Sequence, residues 1–318
     1  MRKKVILPLA LNAVSLAVLV SLASCGSKSD DLPLSGETAA LGGVDAANTL
    51  LNEAKGYEGA GKTSKAISAY GDVAKRYPYS SAAPEARYAE GRLLDQEGDL
   101  FKAFEAYQDL IARYPNSKHY APAIKRQEAV AHAAANGIIK NNFLGMKTRI
   151  SPEKTEKMLG HVRDNAPRAL SAPKAQLAIG RIWQKAGNAD KSIAAYQRIG
   201  VDYPDSSAAP EALYQTGEIL ILKAERGNQN KANVNRARDI FQDLIRRYPS
   251  HGRAADARKR LALLGGQDIQ RSFDTGEFYR KKGQTQSAIF YYREVMRKAR
   301  SGTLYNQAKQ RISELGGQ

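Results

Sequence analysis

Gly56-Tyr57-Glu58-Gly59-Ala60-Gly61-Lys62-Thr63 satisfies G-x-x-x-x-G-K-[ST] in full. In a phosphate-binding loop that spacing lets glycine amides cradle phosphates, puts lysine on the terminal phosphates and a hydroxyl on magnesium. Such a loop must follow a buried strand, and Ala46 to Lys55 (AANTLLNEAK) has the composition of a helix instead. Gly61 also stands nine residues before an aromatic, as Gly98, Gly187 and Gly283 do, which assigns it to a recurrent turn between helices. The four histidines, His119, His132, His161 and His251, show no i, i+4 pair and no carboxylate at a metal-ligand spacing. No Gly-x-Ser-x-Gly elbow is present, and Cys25 is the only cysteine. These residues predict a protein with no catalytic residue, no metal, no cofactor and no small-molecule substrate.

Cys25 has a chemistry of its own. Arg2-Lys3-Lys4 is a short basic region, Val5 to Val20 an apolar run, and Leu22-Ala23-Ser24-Cys25 a small-residue site ending in the thiol. That order is an export signal closing on a lipobox; a membrane span would need about 20 apolar residues and no such site. The sole thiol is then free for a diacylglyceryl group, the covalent lipid expected at Cys25. Processing here resembles that of bacterial lipoproteins, with cleavage before Cys25 and acylation, palmitate included, that holds a protein stably on a bilayer. Gly26 stands where an aspartate would favour the inner membrane, so the outer membrane is expected. Residues 1–24 are the expected signal and 25–43 a lipidated cysteine with a Gly/Ser/Asp-rich tether. The folded body is expected over 44–318.

The chain carries a formal charge of +17, and removing residues 1–24 takes away three cations and no acid, leaving +14. Outside the cytoplasm this disfavours nucleic acid and suits acidic protein partners, anionic lipid or peptide carboxylates; a solvated basic surface that only aids solubility is the plainer alternative.

The body repeats. An aromatic or apolar residue precedes a proline by eight positions in Tyr70/Pro78, Tyr107/Pro115, Leu159/Pro167, Tyr196/Pro204 and Phe241/Pro249. Seven residues before the turn glycines come Gly91, Gly180 and Gly276, and the heptapeptide SSAAPEA occurs at both 80–86 and 206–212. Each unit reads as two antiparallel helices. Pro84, Pro122, Pro173 and Pro210 suit the first turn of helix A, and glycine the hairpin turn. Ala66, Ala103 and Ala288 allow close approach, the aromatic fills the gap between units, and Tyr-Pro ends helix B. Such pairs bury their apolar faces only by stacking. Six units fall near 45–79, 84–117, 122–170, 173–206, 210–251 and 269–300, with Leu264-Gly265-Gly266 expected as a helix stop and Thr303 to Leu315 as a capping helix. Extra length at 137–152 and 224–234 is expected in loops. Trp183 and Tyr279, at equivalent positions of helix A, are expected in the core.

This spacing resembles the tetratricopeptide repeat, so the fold class expected is all-α: a helix-turn-helix solenoid. In that family the residue after the helix-A glycine faces a concave groove. By alignment this column is Lys55, Arg92 and Arg181, then Glu218 and Glu277. Its sign changes along the stack, so the first three are candidate ligands for carboxylates and the last two for a basic partner; a solvated face with accidental clustering is the alternative.

Lipobox, tether and repeats together resemble the BamD-type lipoproteins of outer-membrane protein assembly, most closely in FQDLIRRYPSHGRAADARKRLALL and GEFYRKKGQTQSAIFYYREVM. The resemblance implies a non-enzymatic scaffold, lipid-anchored at the periplasmic face of the outer membrane. Its C-terminal units would dock the barrel-inserting subunit, and its N-terminal groove would take unfolded barrel proteins by their C-terminal signals. An adaptor for cell-wall, polysaccharide-export or pilus assembly is the alternative.

Overall fold

The computed structural model describes residues 37–137, 142–143, 146–147, 149–226 and 231–317, and Gly43–Gln318 form one compact unit. The signal, Cys25 and most of the expected tether lie outside the described residues. In chain order the helices are α1 (Glu37–Gly59), α2 (Thr63–Arg76), α3 (Ala82–Glu97), α4 (Leu100–Arg113), α5 (Tyr120–Ala135), α6 (Pro152–Asn165), α7 (Ser171–Lys185), α8 (Ala189–Asp202), α9 (Ala208–Arg226), α10 (Lys231–Arg247), α11 (Gly252–Lys281), α12 (Thr285–Ala299) and α13 (Thr303–Glu314). Odd-numbered helices to α11 are the A helices and even-numbered ones the B helices; α13 is the expected cap. The extra length in the third unit contains a two-residue antiparallel ladder, β1 (Asn142–Phe143) with β2 (Met146–Lys147). The second insertion is largely taken up by longer helices α9 and α10.

The hairpin chemistry is local. Gly61, Gly98, Gly187 and Gly283 all have φ between 68° and 79°, the left-handed conformation that only glycine adopts freely. Gly61 thus turns α1 into α2, and the run that mimics a phosphate loop is the end of one helix and the start of the next. Asp99 and Asn188, just past two of these glycines, cap the B helices by accepting from the amides of Lys102 and Lys191. Tyr77, Tyr114 and Tyr203 close α2, α4 and α8. Two of the closing tyrosines also bind the stack together: Tyr114 donates its hydroxyl to the Pro78 carbonyl at 2.7 Å, and Tyr248 to Pro204 at 2.5 Å.

The aromatic column lies between units, Tyr70 clustering with Ala82, Ala86 and Leu93 of α3 and Tyr196 with Ala208, Ala209 and Ala212 of α9. Its rings also close on the A-helix glycine of their own hairpin. A Cβ built on Gly91, Gly180, Gly217 or Gly276 would lie 2.8, 2.2, 2.5 or 2.8 Å from Tyr107, Tyr196, Phe241 or Tyr292. Real Cβ atoms do not come so near, so these glycines are required by contact. The small residue four before the ring is buried in each hairpin: Ala66, Ala103, Ala237 and Ala288, with Ser192 donating to the Gly180 carbonyl at 2.8 Å. Buried side chains fall into four clusters spread along the stack, as stacking of incomplete units requires. Trp183 is in the core as expected, with Lys191 over its ring, and Tyr279 is half-buried and stacked on Tyr291.

Two boundaries differ from expectation. α1 begins at Glu37, inside the segment read as tether, because Glu37-Thr38-Ala39-Ala40-Leu41 favours helix and the Gly42-Gly43 pair costs only about 2 kcal/mol against alanine. Leu264-Gly265-Gly266 is no helix stop: α11 runs through it unbroken for 30 residues. Turn glycines Gly98, Gly137 and Gly187 stand twenty to twenty-two residues past the preceding proline, whereas Gly265 stands only sixteen past Pro249, within the span that is helical in every unit.

Candidate protein-binding face

Stacking of A helix on A helix joins several residues of the candidate column with charges that sequence reasoning left out. Lys55 on α1 meets Glu85 on α3 at 2.6 Å, and Arg92 on α3 pairs with Glu58 on α1. Arg126 on α5 pairs with Asp95 on α3. Farther along, Arg253 on α11 binds Glu211 on α9 at 2.6 Å, and Arg260 pairs with Glu218. Glu85 and Glu211 occupy the same place in the two SSAAPEA copies. That duplicated acid was the available signal, and each copy anchors a cation from a neighbouring A helix.

The consequences differ by residue. Lys55 and Arg92 are half-exposed but already neutralised. Burial raises the Glu58 carboxyl, but hydrogen bonds from Arg92 and Tyr70 outweigh it and hold it below its ordinary value. Arg181, on α7, is exposed, and no carboxylate lies within ion-pair distance of it among the described residues. Its neighbour His132 on α5 is pushed down, by burial first and then by Lys174 and Arg181 against the opposing Glu128. Of the three cations, Arg181 is therefore the one without an ion-pair partner among the described residues, although its charge helps to lower the Glu211 carboxyl on α9.

The acidic half is more constrained. One oxygen of Glu218 accepts from Arg260, while the other is buried without a hydrogen-bond partner. Glu277 accepts from Arg280 at 2.7 Å, from the Tyr292 hydroxyl at 2.7 Å and from Arg311 at 3.0 Å. Arg280 most of all, with Tyr292 and Arg311 adding to it, holds this carboxyl at about 2, well below its ordinary 4.5, against burial, whose opposing effect is second only to the Arg280 hydrogen bond. A depressed carboxyl stabilises the fold above its unfolded value and loses that contribution as pH falls toward 2. Glu277→Gln is accordingly expected to cost about 1 kcal/mol at pH 7, after allowing for solvent screening of a partly exposed group. The difference should close near pH 2; urea midpoints of the two proteins at both pH values measure it.

The histidines have structural places. His119 stacks on Tyr88 with centroids 5.0 Å apart, and His251 caps α11, its Nδ1 accepting from the Arg253 amide. Among the described residues no group of His, Cys, Asp and Glu could hold a metal ion, and no helix is long and apolar enough to cross a membrane.

Helix hairpins with a turn glycine, a small residue, an aromatic and a closing proline define a tetratricopeptide-repeat protein, an interaction scaffold; the tetratricopeptide profile matches residues 48–80 and 85–117, the α1–α2 and α3–α4 pairs. The profile of the outer-membrane lipoprotein family YfiO matches residues 151–311, half of the chain, and the chain belongs to that family. The outer membrane protein assembly factor BamD of Caulobacter vibrioides is 26% identical over 128 residues, a match that spans 40% of this chain and 40% of that factor's length. Among solved structures, MamA of Desulfovibrio magneticus RS-1 is 18% identical with a TM-score of 0.31, over 65% of this chain and 98% of that one. A tetratricopeptide repeat protein of Parabacteroides merdae is 13% identical with a TM-score of 0.31, over 86% of this chain and all of that one.

Proposed function

We infer that this protein is a non-enzymatic scaffold of outer-membrane β-barrel assembly, held at the periplasmic face of the outer membrane by lipid on Cys25. It binds unfolded barrel proteins and the barrel-inserting subunit. Membership of an outer-membrane lipoprotein family supports the location, and the partial likeness to a BamD supports the assembly. The observation that carries the binding role is the exposed Arg181 in the middle of the A-helix face, without an ion-pair partner among the described residues and flanked by Lys174 and His132.

A substrate carboxylate reaches Arg181 without displacing an internal partner, whereas at Lys55 and Arg92 it exchanges with Glu85 and Glu58. The barrel-inserting subunit meets the C-terminal units around Glu218 and Glu277, where a basic group competes with Arg260 or with Arg280 and Arg311. Binding of a labelled peptide carrying the C-terminal residues of an outer-membrane barrel protein tests the substrate role. Arg181→Glu is expected to weaken it at least tenfold at low salt, and Lys55→Glu by less. Equal binding by wild type and the Lys55→Glu/Arg92→Glu/Arg181→Glu protein would remove the face from substrate recognition. Co-purification from membranes in mild detergent tests the assembly, with the barrel-inserting subunit as the expected companion.

A further inference from the structure

α11 is long enough to serve two units, and the apolar packing along it is interrupted. The cluster of α9 and α10 takes in Ala254, Ala257 and Leu261 of α11, and the cluster of α12 and α13 begins at Ile269 and Phe273. Leu264 stands between the two, buried, in the lining of a cleft of about 670 Å³. α9 and α10 form one wall of this cleft, α12 the other, and α11 its floor. Because α11 runs unbroken for 30 residues, roughly 45 Å, the hairpins packed at its two ends stay apart and leave the gap.

The lining is basic: Lys231, Arg238, Arg271 and Lys298 stand there with only Glu225 and Asp268 to oppose them. Two of the cations reach α11 from opposite walls. Arg238 of α10 donates to the Leu264 carbonyl at 3.1 Å and to Asp268 at 2.5 Å, which neutralises that acid, and Lys298 of α12 donates to Ser272 Oγ at 3.0 Å. Lys298 comes no nearer than 3.7 Å to Glu294, which Arg297 already holds at 2.6 Å. Arg271, next to Ser272 in the chain, is exposed and makes no hydrogen bond among the described residues; its ion-pair contact is the already paired Asp268, at 3.7 Å. Arg271 and Lys298 therefore keep N–H groups to offer, and the apolar side chains of Ile221, Val234 and Leu264 line the same cleft.

We propose that this cleft receives an acidic peptide segment of a partner protein, its carboxylate held by Arg271 and Lys298 and an adjoining apolar side chain laid against Ile221, Val234 and Leu264. A guanidinium with free N–H groups binds a carboxylate through two parallel bonds, and a cation from the facing helix fixes the carboxylate in place. The apolar part of the lining favours a peptide over a bare anion, which would leave those side chains facing water. The volume suits a few residues of chain and not a folded domain. Tyr291, stacked on Tyr279 of α11, braces the α12 wall. The cleft is opposite in sign to the docking chemistry at Glu218 and Glu277, and it stands whether or not Arg181 receives barrel proteins.

The probe is a fluorescent hexapeptide of alternating glutamate and leucine, titrated into the full-length chain in mild detergent, with a twin carrying glutamine for glutamate as the neutral control. Saturable binding of the acidic peptide is expected, weakened at least tenfold by Arg271→Glu/Lys298→Glu and unaffected by Lys75→Glu/Lys125→Glu, the same charge change at exposed positions of α2 and α5. Arg271→Gln, at an exposed position with no hydrogen-bond partner to strand, should weaken binding severalfold and keeps the test decisive if the double variant unfolds; urea midpoints report the fold. Absence of saturable binding, equal binding of the neutral twin, or equal loss in the α2 and α5 control overturns the proposal. Phosphatidylglycerol vesicles that bind through Arg271 and Lys298 where the peptide does not would also overturn it, by making the occupant a lipid headgroup.

Discussion

Gly180→Val is expected to lower the stability of the stack by about 3 kcal/mol or more, the upper range for over-packing a closed core. Even the first added carbon would stand 2.2 Å from the Tyr196 ring, which is 1% exposed and has no free direction in which to move. The ring is held on α8, whose Ser192 also donates to the Gly180 carbonyl, so relief requires the two helices to separate. Gly265→Ala gives the opposite sign. A Cβ there meets nothing within 4 Å, the residue is mid-helix, and alanine should stabilise α11 by about 1 kcal/mol. Urea unfolding of both variants measures the contrast, which separates glycines required by contact from those merely tolerated in a helix.

Phe241→Ala is expected to cost about 4 kcal/mol, the usual scale for deleting a fully buried phenylalanine. Its ring is 0% exposed, closes on Gly217 and lies 5.8 Å from Tyr214, joining α9 to α10. Stacked repeats are stabilised through neighbours, so loosening this hairpin also weakens the support of α11. The expected record is a lower first urea midpoint and a split transition, with the C-terminal units melting before the rest. Phe290→Ala, removing a ring that is 60% exposed on α12, should change stability by no more than about 0.5 kcal/mol. Loss of similar size at both positions would contradict the packing described here.

Much of the fold was legible before any coordinates because the repeat is written in residues with restricted backbones. Gly61, Gly98, Gly187 and Gly283 permit the left-handed turn, and prolines limit where helices start and stop, so hairpin positions follow from local chemistry alone. The misread stop at Gly265-Gly266 shows the limit of that logic. Glycine permits a turn without compelling one, and Gly265-Gly266 falls short of the register at which the stack turns, inside a continuous helix.

The candidate column was legible as positions but not as charges. Lys55, Arg92, Arg181, Glu218 and Glu277 do lie along the A helices, as spacing required. Which of them is satisfied depends on residues tens of positions away, such as Glu85 for Lys55 and Arg260 for Glu218, brought together only by stacking. By itself, then, the sequence determined the helix hairpins and their order, because turn and cap preferences act over a few residues. Tertiary structure alone decided that the rings close on their own hairpins and that Arg181 is left without an ion pair among the described residues, because burial and charge pairing are settled between helices far apart in the chain.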